Sequence, residues 1–180
     1  MLAIFSPISM ASKRYTSNGN VVRLNETKNG VPFFRKENPT MLELEIVRKL
    51  QRNPHPNIVK IYHVSPDYYD MELVSTRVTR RECIDQIAGL TSAKRHMQRL
   101  GIAYLDWKRD NCGLADGRVK VFDFDSSALV RWLTVKAPFI KGYSWRKAEN
   151  QGLTDPFKID DWIFAGFMRL PGSSNNSIFN

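Results

Sequence analysis

Residues 19–36, GNVVRLNETKNGVPFFRK, carry two short apolar runs, VVRL and VPFF, separated by Lys28-Asn29-Gly30. Asn-Gly supplies the positive φ that tight hairpins need, so this stretch predicts a β-hairpin. The period then changes. In NPTMLELEIVRKLQRN, Ile46, Val47 and Leu50 form one helical stripe, Asn38 is placed to cap and Pro39 suits the first helical position. Glu43 lies three residues before Ile46 and is expected to point inward with that stripe; its rival role is a capping box with Thr40. Glu45 falls on the opposite face with Arg48 and Lys49, where a solvated charge pair is a sufficient reading.

Beyond the NPHPN turn come two strand-like runs, IVKIYHV and YYDMELV. Cys83, Ile87, Leu90, Ala93, Met97 and Leu100 then recur at helical spacing, predicting one long buried helix over 83–100 that stops at Gly101. IAYL reads as a strand, and CGL and RVKVF as two more that turn at Ala115-Asp116-Gly117. Mostly β is thus followed by mostly α, an α+β chain with a boundary near residues 72–80. The start, MLAIFSPISM, and the tail, LPGSSNNSIFN, read as a loose extension and a disordered end.

A chain of 180 residues, 42% hydrophobic, is long enough to bury a core. A formal charge of +9 suits a polyanionic partner, whether nucleotide phosphates, nucleic acid, an acidic protein or a membrane surface. Cys83 and Cys112 have neither zinc-knuckle spacing nor the number for a disulfide framework, so reduced thiols in an intracellular, cytoplasmic setting are expected. The three scattered histidines make no zinc site. No run approaches the roughly 18 apolar residues of a membrane span, so no membrane partner is expected.

Polar groups at the strand ends carry the candidate chemistry. Asp106 and Asn111 follow IAYL on one loop, and a hairpin over 112–123 would return Asp123 beside Asn111. One carboxylate and one amide are hard oxygen donors that suit Mg²⁺, which keeps waters and shares phosphate oxygens. Asp106 would remain to orient a hydroxyl and take its proton.

Tyr104-Leu105-Asp106-Trp107-Lys108-Arg109-Asp110-Asn111 resembles the H-R-D-L-K-x-x-N catalytic loop of eukaryotic-type protein kinases, and Asp123-Phe124-Asp125 resembles their D-F-G. The likeness extends to Lys36 as the strand lysine that grips phosphates, Glu43 as its helix partner, HPNIVKIYHV after that helix, and Asp160-Asp161-Trp162 at the helix that anchors the loop. It implies a nucleotide site that includes Gly19, Val21, Lys36 and Glu43, with Met71 as gatekeeper, Glu72 and Leu73 entering the hinge, and Gly113 as floor. Asp106 and Lys108 are the implied catalytic pair and Asn111 and Asp123 the metal ligands, with ATP and Mg²⁺ bound. The implied fold has two lobes, a β-rich N-lobe over 12–74 and a shortened helical C-lobe over 75–171, flanked by an extension over 1–11 and a disordered tail over 172–180.

Departures from the family pattern are specific. Arg14 and Thr16 replace the first two loop glycines, Phe34 replaces the small residue over adenine, and Tyr104-Leu105 replaces His-Arg. The missing arginine implies activity that does not need a phosphorylated activation loop, although Ser126, Ser127 and Thr134 are available. Asp125 in place of glycine reads as a capping residue or a further ligand. The short region after Asp160 and the Y-L-D-W-K wording resemble compact kinases of large DNA viruses, which would place the protein in a host cell or virion.

The expected function is transfer of the γ-phosphate of ATP to a serine or threonine of a protein substrate by a monomer, with no nucleic acid required. The alternatives are a non-catalytic pseudokinase that binds or mimics another kinase, a small-molecule phosphotransferase of related fold, and a nucleic-acid binder resting on charge alone.

Overall fold

The computed structural model describes residues 12–15, 21–28, 31–131, 134–138 and 142–169. The chain is α+β. Strands β1 (Ser12–Tyr15), β2 (Val21–Lys28), β3 (Val31–Glu37), β4 (Ile61–Val64) and β5 (Tyr68–Glu72) form an antiparallel sheet in the order β1-β2-β3-β5-β4. Lys28 pairs with Val31, so β2 and β3 form the expected hairpin; the Asn29-Gly30 turn itself lies outside the described residues, as do Gly19 and the extension and tail.

Helix α1 (Met41–Arg52) buries Glu43, Leu44, Ile46, Val47 and Leu50 against this sheet. Its cap is Thr40, not Asn38. Thr40 is extended and its hydroxyl accepts from the Glu43 backbone N–H at 3.1 Å, whereas Asn38 sits at φ 54° and donates its own N–H to the Asp67 carbonyl. The Glu43 side chain does not complete a box with Thr40; it is buried.

The expected single helix over 83–100 is two helices, α2 (Arg80–Asp85) and α3 (Ile87–Arg99). A capping box of Thr79 and Glu82 starts α2 earlier than the apolar pattern indicates. The break falls at Gln86, whose side chain accepts from Val119 N–H at 2.8 Å and donates to the Gly117 carbonyl at 3.1 Å. That amide joins the helical break to the hairpin of β7 (Cys112–Ala115) and β8 (Arg118–Val121). Asp116 and Gly117, at φ 51° and 70°, turn the hairpin.

The expected strand IAYL shortens to β6 (Ile102–Ala103), which pairs with β9 (Ala128–Arg131), and β9 pairs with β10 (Thr134–Lys136). Helices α4 (Tyr143–Asn150) and α5 (Pro156–Met168) complete the described chain. Two short bridges, Ile58 with Val121 and Ser75 with Leu114, tie the five-stranded sheet region to the β7–β8 hairpin. The buried residues form one cluster running from Ile46 and Tyr69 through Leu90 and Met97 to Phe124 and Ile159. No helix among the described residues is long and apolar enough to cross a membrane.

Gly101 holds a tight junction between α3 and β6. Its φ is +75°, and a Cβ there would lie 2.6 Å from the Val130 carbonyl oxygen; at Gly117, φ is +70° but the space is open. Gly117→Ala should therefore destabilise by about 1 kcal/mol through strain alone, and Gly101→Ala by roughly 3 kcal/mol through strain and the backbone clash. Urea unfolding of the two variants checks this, and equal losses would contradict the clash.

Candidate active site

The cross-strand register of β3 and β5 sets Phe34 opposite Met71 and Lys36 opposite Tyr69, so these four residues share one face of the sheet. Glu43 enters that face from α1. Lys36 Nζ lies 2.7 Å from Glu43 Oε1, 2.9 Å from Asp123 Oδ1 and 3.9 Å from Asp125 Oδ2. The Lys36 ammonium is buried, which by itself pushes its pKa down, but the fields of Asp123, Glu43 and Asp125 outweigh burial and hold it above the ordinary lysine value. Burial pushes the Glu43 carboxyl up, against the opposing pull of Lys36 and of Tyr69.

Tyr69 is a site residue that sequence reasoning missed. It is fully buried and donates its hydroxyl to Glu43 Oε1 at 2.8 Å, the same oxygen that Lys36 uses. Glu43 Oε2 has no hydrogen-bond partner among the described residues. The signal for Tyr69 was its place two residues before Met71 on the same strand face, which becomes meaningful only once register with Lys36 is known.

On the loop after β6, Lys108 Nζ and Asn111 Nδ2 both donate to Asp106 Oδ2 at 2.7 Å, and Asn111 Nδ2 also reaches the Asp106 carbonyl at 3.1 Å. This leaves the Asp106 Oδ1 edge without a donor among the described residues. Burial lowers the Lys108 pKa, yet its bond to Asp106 and the fields of Asp106, Asp123 and Asp125 raise it overall, so these carboxylates act on one small region. The β7–β8 ladder continues one step to Phe122 N–H on the Asn111 carbonyl at 3.1 Å, which sets Asp123 beside Asn111 as the hairpin reading required.

Two bulky or charged residues in this region have left-handed backbones, Leu105 at φ 68° and Asp123 at φ 63°. A non-glycine residue is held there only where its surroundings over-determine it. For Leu105 the constraint is Asp160 on α5. Its Oδ1 accepts the Leu105 backbone N–H at 2.9 Å and the Trp107 indole N–H at 2.8 Å. For Asp123 the constraint is Tyr104, which is fully buried and donates its hydroxyl to the Phe122 carbonyl. Tyr104 also packs edge-on against Trp107 and Phe124, with centroids 4.8 and 5.8 Å away.

The remaining expected positions have the following surroundings. Glu72 Oε1 takes Lys120 Nζ at 2.6 Å and its Oε2 accepts Lys60 N–H at 3.0 Å, so its carboxylate is held in a structural network. A Cβ on Gly113 would lie 2.2 Å from Val74 Cγ2, so Val74 occupies the space beside that glycine. Leu73 is half-buried, Val21 begins β2 opposite Tyr15, and Gly19 lies outside the described residues. Ser127 is not an available hydroxyl: it is fully buried and donates to the Tyr104 carbonyl at 3.0 Å. The His55 and His96 rings lie 5.1 Å apart, tilted by 35°, and bond to Ser92 and to the Asn53 carbonyl respectively.

No protein-family model matches the chain. It is similar to a protein of Dictyostelium discoideum described as a probable myosin light chain kinase, at 29% identity over 143 residues, covering 69% of this chain and 44% of that protein. The chain thus spans under half the length of that relative, and the likeness supports a distant kinase-like relationship.

The Asp160 carboxyl is buried, which raises its pKa, against the pull of its Leu105 and Trp107 donors, to about 6 from the usual 3.8. The folded state therefore holds the proton more tightly than the unfolded chain, and stability declines as pH rises from about 4 through 6. Asp160→Asn keeps an oxygen for both donors and removes the titration. Its stability relative to the parent should improve over that window by on the order of 1–3 kcal/mol, read by urea unfolding at pH 4, 5, 6 and 7; a pH-independent difference would contradict the assignment.

Proposed function

We propose that the chain is an ATP-dependent protein kinase that transfers the γ-phosphate to a serine or threonine hydroxyl. The observation that carries this reading is the meeting of Lys36 with Glu43 and Asp123 beside the Asp106–Lys108–Asn111 cluster. A buried ammonium kept charged by carboxylates is suited to gripping phosphate oxygens, and it is held on a strand and a helix rather than on mobile loops. The lobes are proposed as residues 12–74 and 75–171, meeting at the Ile58–Val121 bridge.

The donor set fits a magnesium ion. Asn111 commits Nδ2 to Asp106, which leaves Oδ1 as the amide's acceptor, and Asp123 offers a partly exposed carboxylate from the neighbouring chain segment. Among the described residues no three His, Cys, Asp or Glu side chains form a closed metal cage, and one carboxylate with one amide oxygen matches a cation that retains water and phosphate ligands. Mg²⁺ bound there would neutralise phosphate charge. Lys36 would orient the α/β-phosphates, Asp106 would accept the substrate hydroxyl proton through Oδ1, and Lys108, anchored on Oδ2, would steady the transferred group.

One observation favours the second reading, a pseudokinase that binds without catalysis. Phe34 stands opposite Met71, and Val74 fills the space at Gly113, so bulk lies on both sides of the proposed base-binding region. Phosphate transfer from Mg-ATP to a mixed protein substrate separates the two. The parent should transfer, while Asp106→Asn and Lys36→Met should each lose roughly 100-fold or more. No transfer by the parent, with Mg-ATP still raising its melting temperature, would support the pseudokinase; transfer surviving Asp106→Asn would remove the base assignment.

A further inference from the structure

Glu45 is a partly exposed charge, as its helical face implied, but its cations come from a separate element. Its Oε1 takes the Arg131 guanidinium and its Oε2 takes Lys136 Nζ at 3.0 Å, joining residues 86 and 91 positions apart in sequence. Both cations lie on the β9–β10 hairpin, which follows Asp123, and Glu45 stands two residues from Glu43 on α1. The helix therefore carries one carboxylate inward to Lys36 and another outward to the hairpin.

The hairpin is anchored on its other side as well. Ile102 and Ala103 of β6 pair with Leu129 and Ala128, and Val130 N–H donates to the Gly101 carbonyl at 2.8 Å. Strand β6 leads directly into the Asp106 loop. One short hairpin thus connects the helix of Glu43 to the loop of Asp106, and the segment from Asp123 to Ala128 is enclosed between them.

We propose that Glu45 is a positioning residue, clamping the β9–β10 hairpin to α1 with permanent charges so that no phosphate is needed to hold the segment after Asp123. This deepens the kinase reading and rests on it. The charges suit a permanent clamp, since arginine does not titrate at neutral pH and the bond from Lys136, against slight burial and together with the fields of Arg131, Lys136 and Lys49, holds Glu45 below the ordinary carboxylate range. Two hydroxyls of the segment after Asp123 are otherwise engaged: Ser127 is buried on Tyr104, and Ser126 donates to Asp125 Oδ1 at 3.1 Å. Single exposed ion pairs contribute little, but one carboxylate that takes two cations from a separate element fixes the relative position of that element.

The test uses the full chain in two arms, steady-state transfer from Mg-ATP to protein and amide hydrogen exchange over 128–136. Glu45→Gln should lower kcat roughly three- to tenfold with little change in KM for ATP, the size expected for losing a coupling of about 1 kcal/mol, and should speed exchange at Leu129, Val130 and Val135. The charge swap Glu45→Lys with Arg131→Glu and Lys136→Glu should restore both readouts, which a role in bulk stability alone would not require. Parent-level kcat and exchange in Glu45→Gln, or a swap that restores neither, overturns the proposal while leaving the kinase reading intact. Absence of transfer by the parent overturns the kinase reading and with it the positioning role.

Discussion

Lys36 places an ammonium group where only 4% of the residue remains exposed, and a charge so buried persists only among anions. Glu43, Asp123 and Asp125 supply them from a helix and from the chain beyond the β7–β8 hairpin. The requirement works in both directions: Glu43 is itself fully buried and depends on Lys36 and Tyr69 for its only donors among the described residues. Sheet, helix and hairpin are thereby tied to one point, and losing Lys36 would leave the buried Glu43 carboxylate without a compensating charge. Such an arrangement is weak evidence for stability, and in the proposed kinase its use is to bind phosphates.

Around that point the backbone is held in two uncommon conformations. Leu105 and Asp123 are both left-handed, and each is secured by a buried side chain from elsewhere, Asp160 for the first and Tyr104 for the second. The two supports meet through Trp107, which donates to Asp160 and packs on Tyr104, and through its contact with Phe164 of α5 at 4.7 Å. Strain next to Asp106 and at Asp123 is thus distributed into a buried aromatic cluster. In the proposed kinase this is how a loop beginning Tyr-Leu keeps its geometry: the tyrosine hydroxyl fixes the carbonyl just before Asp123, and the backbone N–H of Leu105 is received by Asp160.

Local pattern was informative where neighbours in sequence are also neighbours in space. The inward face of Glu43, the turn at Asp116-Gly117, the stop at Gly101 and the return of Asp123 beside Asn111 all follow from periodicity or turn chemistry. Where the reading went astray, a distant partner decided. Apolar spacing ran straight through Gln86, because nothing local shows that its amide binds β8, while the Thr79-x-x-Glu82 capping box was a local helix-start signal that the apolar pattern passed over. Ser127 reads as an available hydroxyl of the segment after Asp123, yet the core closes over it.

The chain's own order of residues determined which chemistry was on hand: the Asp106-to-Asn111 interval, Asp123 after a hairpin, a lysine on a strand and a glutamate on the inward stripe of the next helix. Period and turn preference are properties of a few consecutive residues, so they survive reading in one dimension. Only tertiary structure decided that Asp123 and Asp125 join Glu43 around Lys36, that Tyr69 joins them across β3 and β5, that the anchoring helix receives the Leu105 N–H on Asp160, and that Glu45 reaches Arg131 and Lys136. Those contacts arise from strand register and packing between segments far apart in sequence, and no local preference of either partner encodes them.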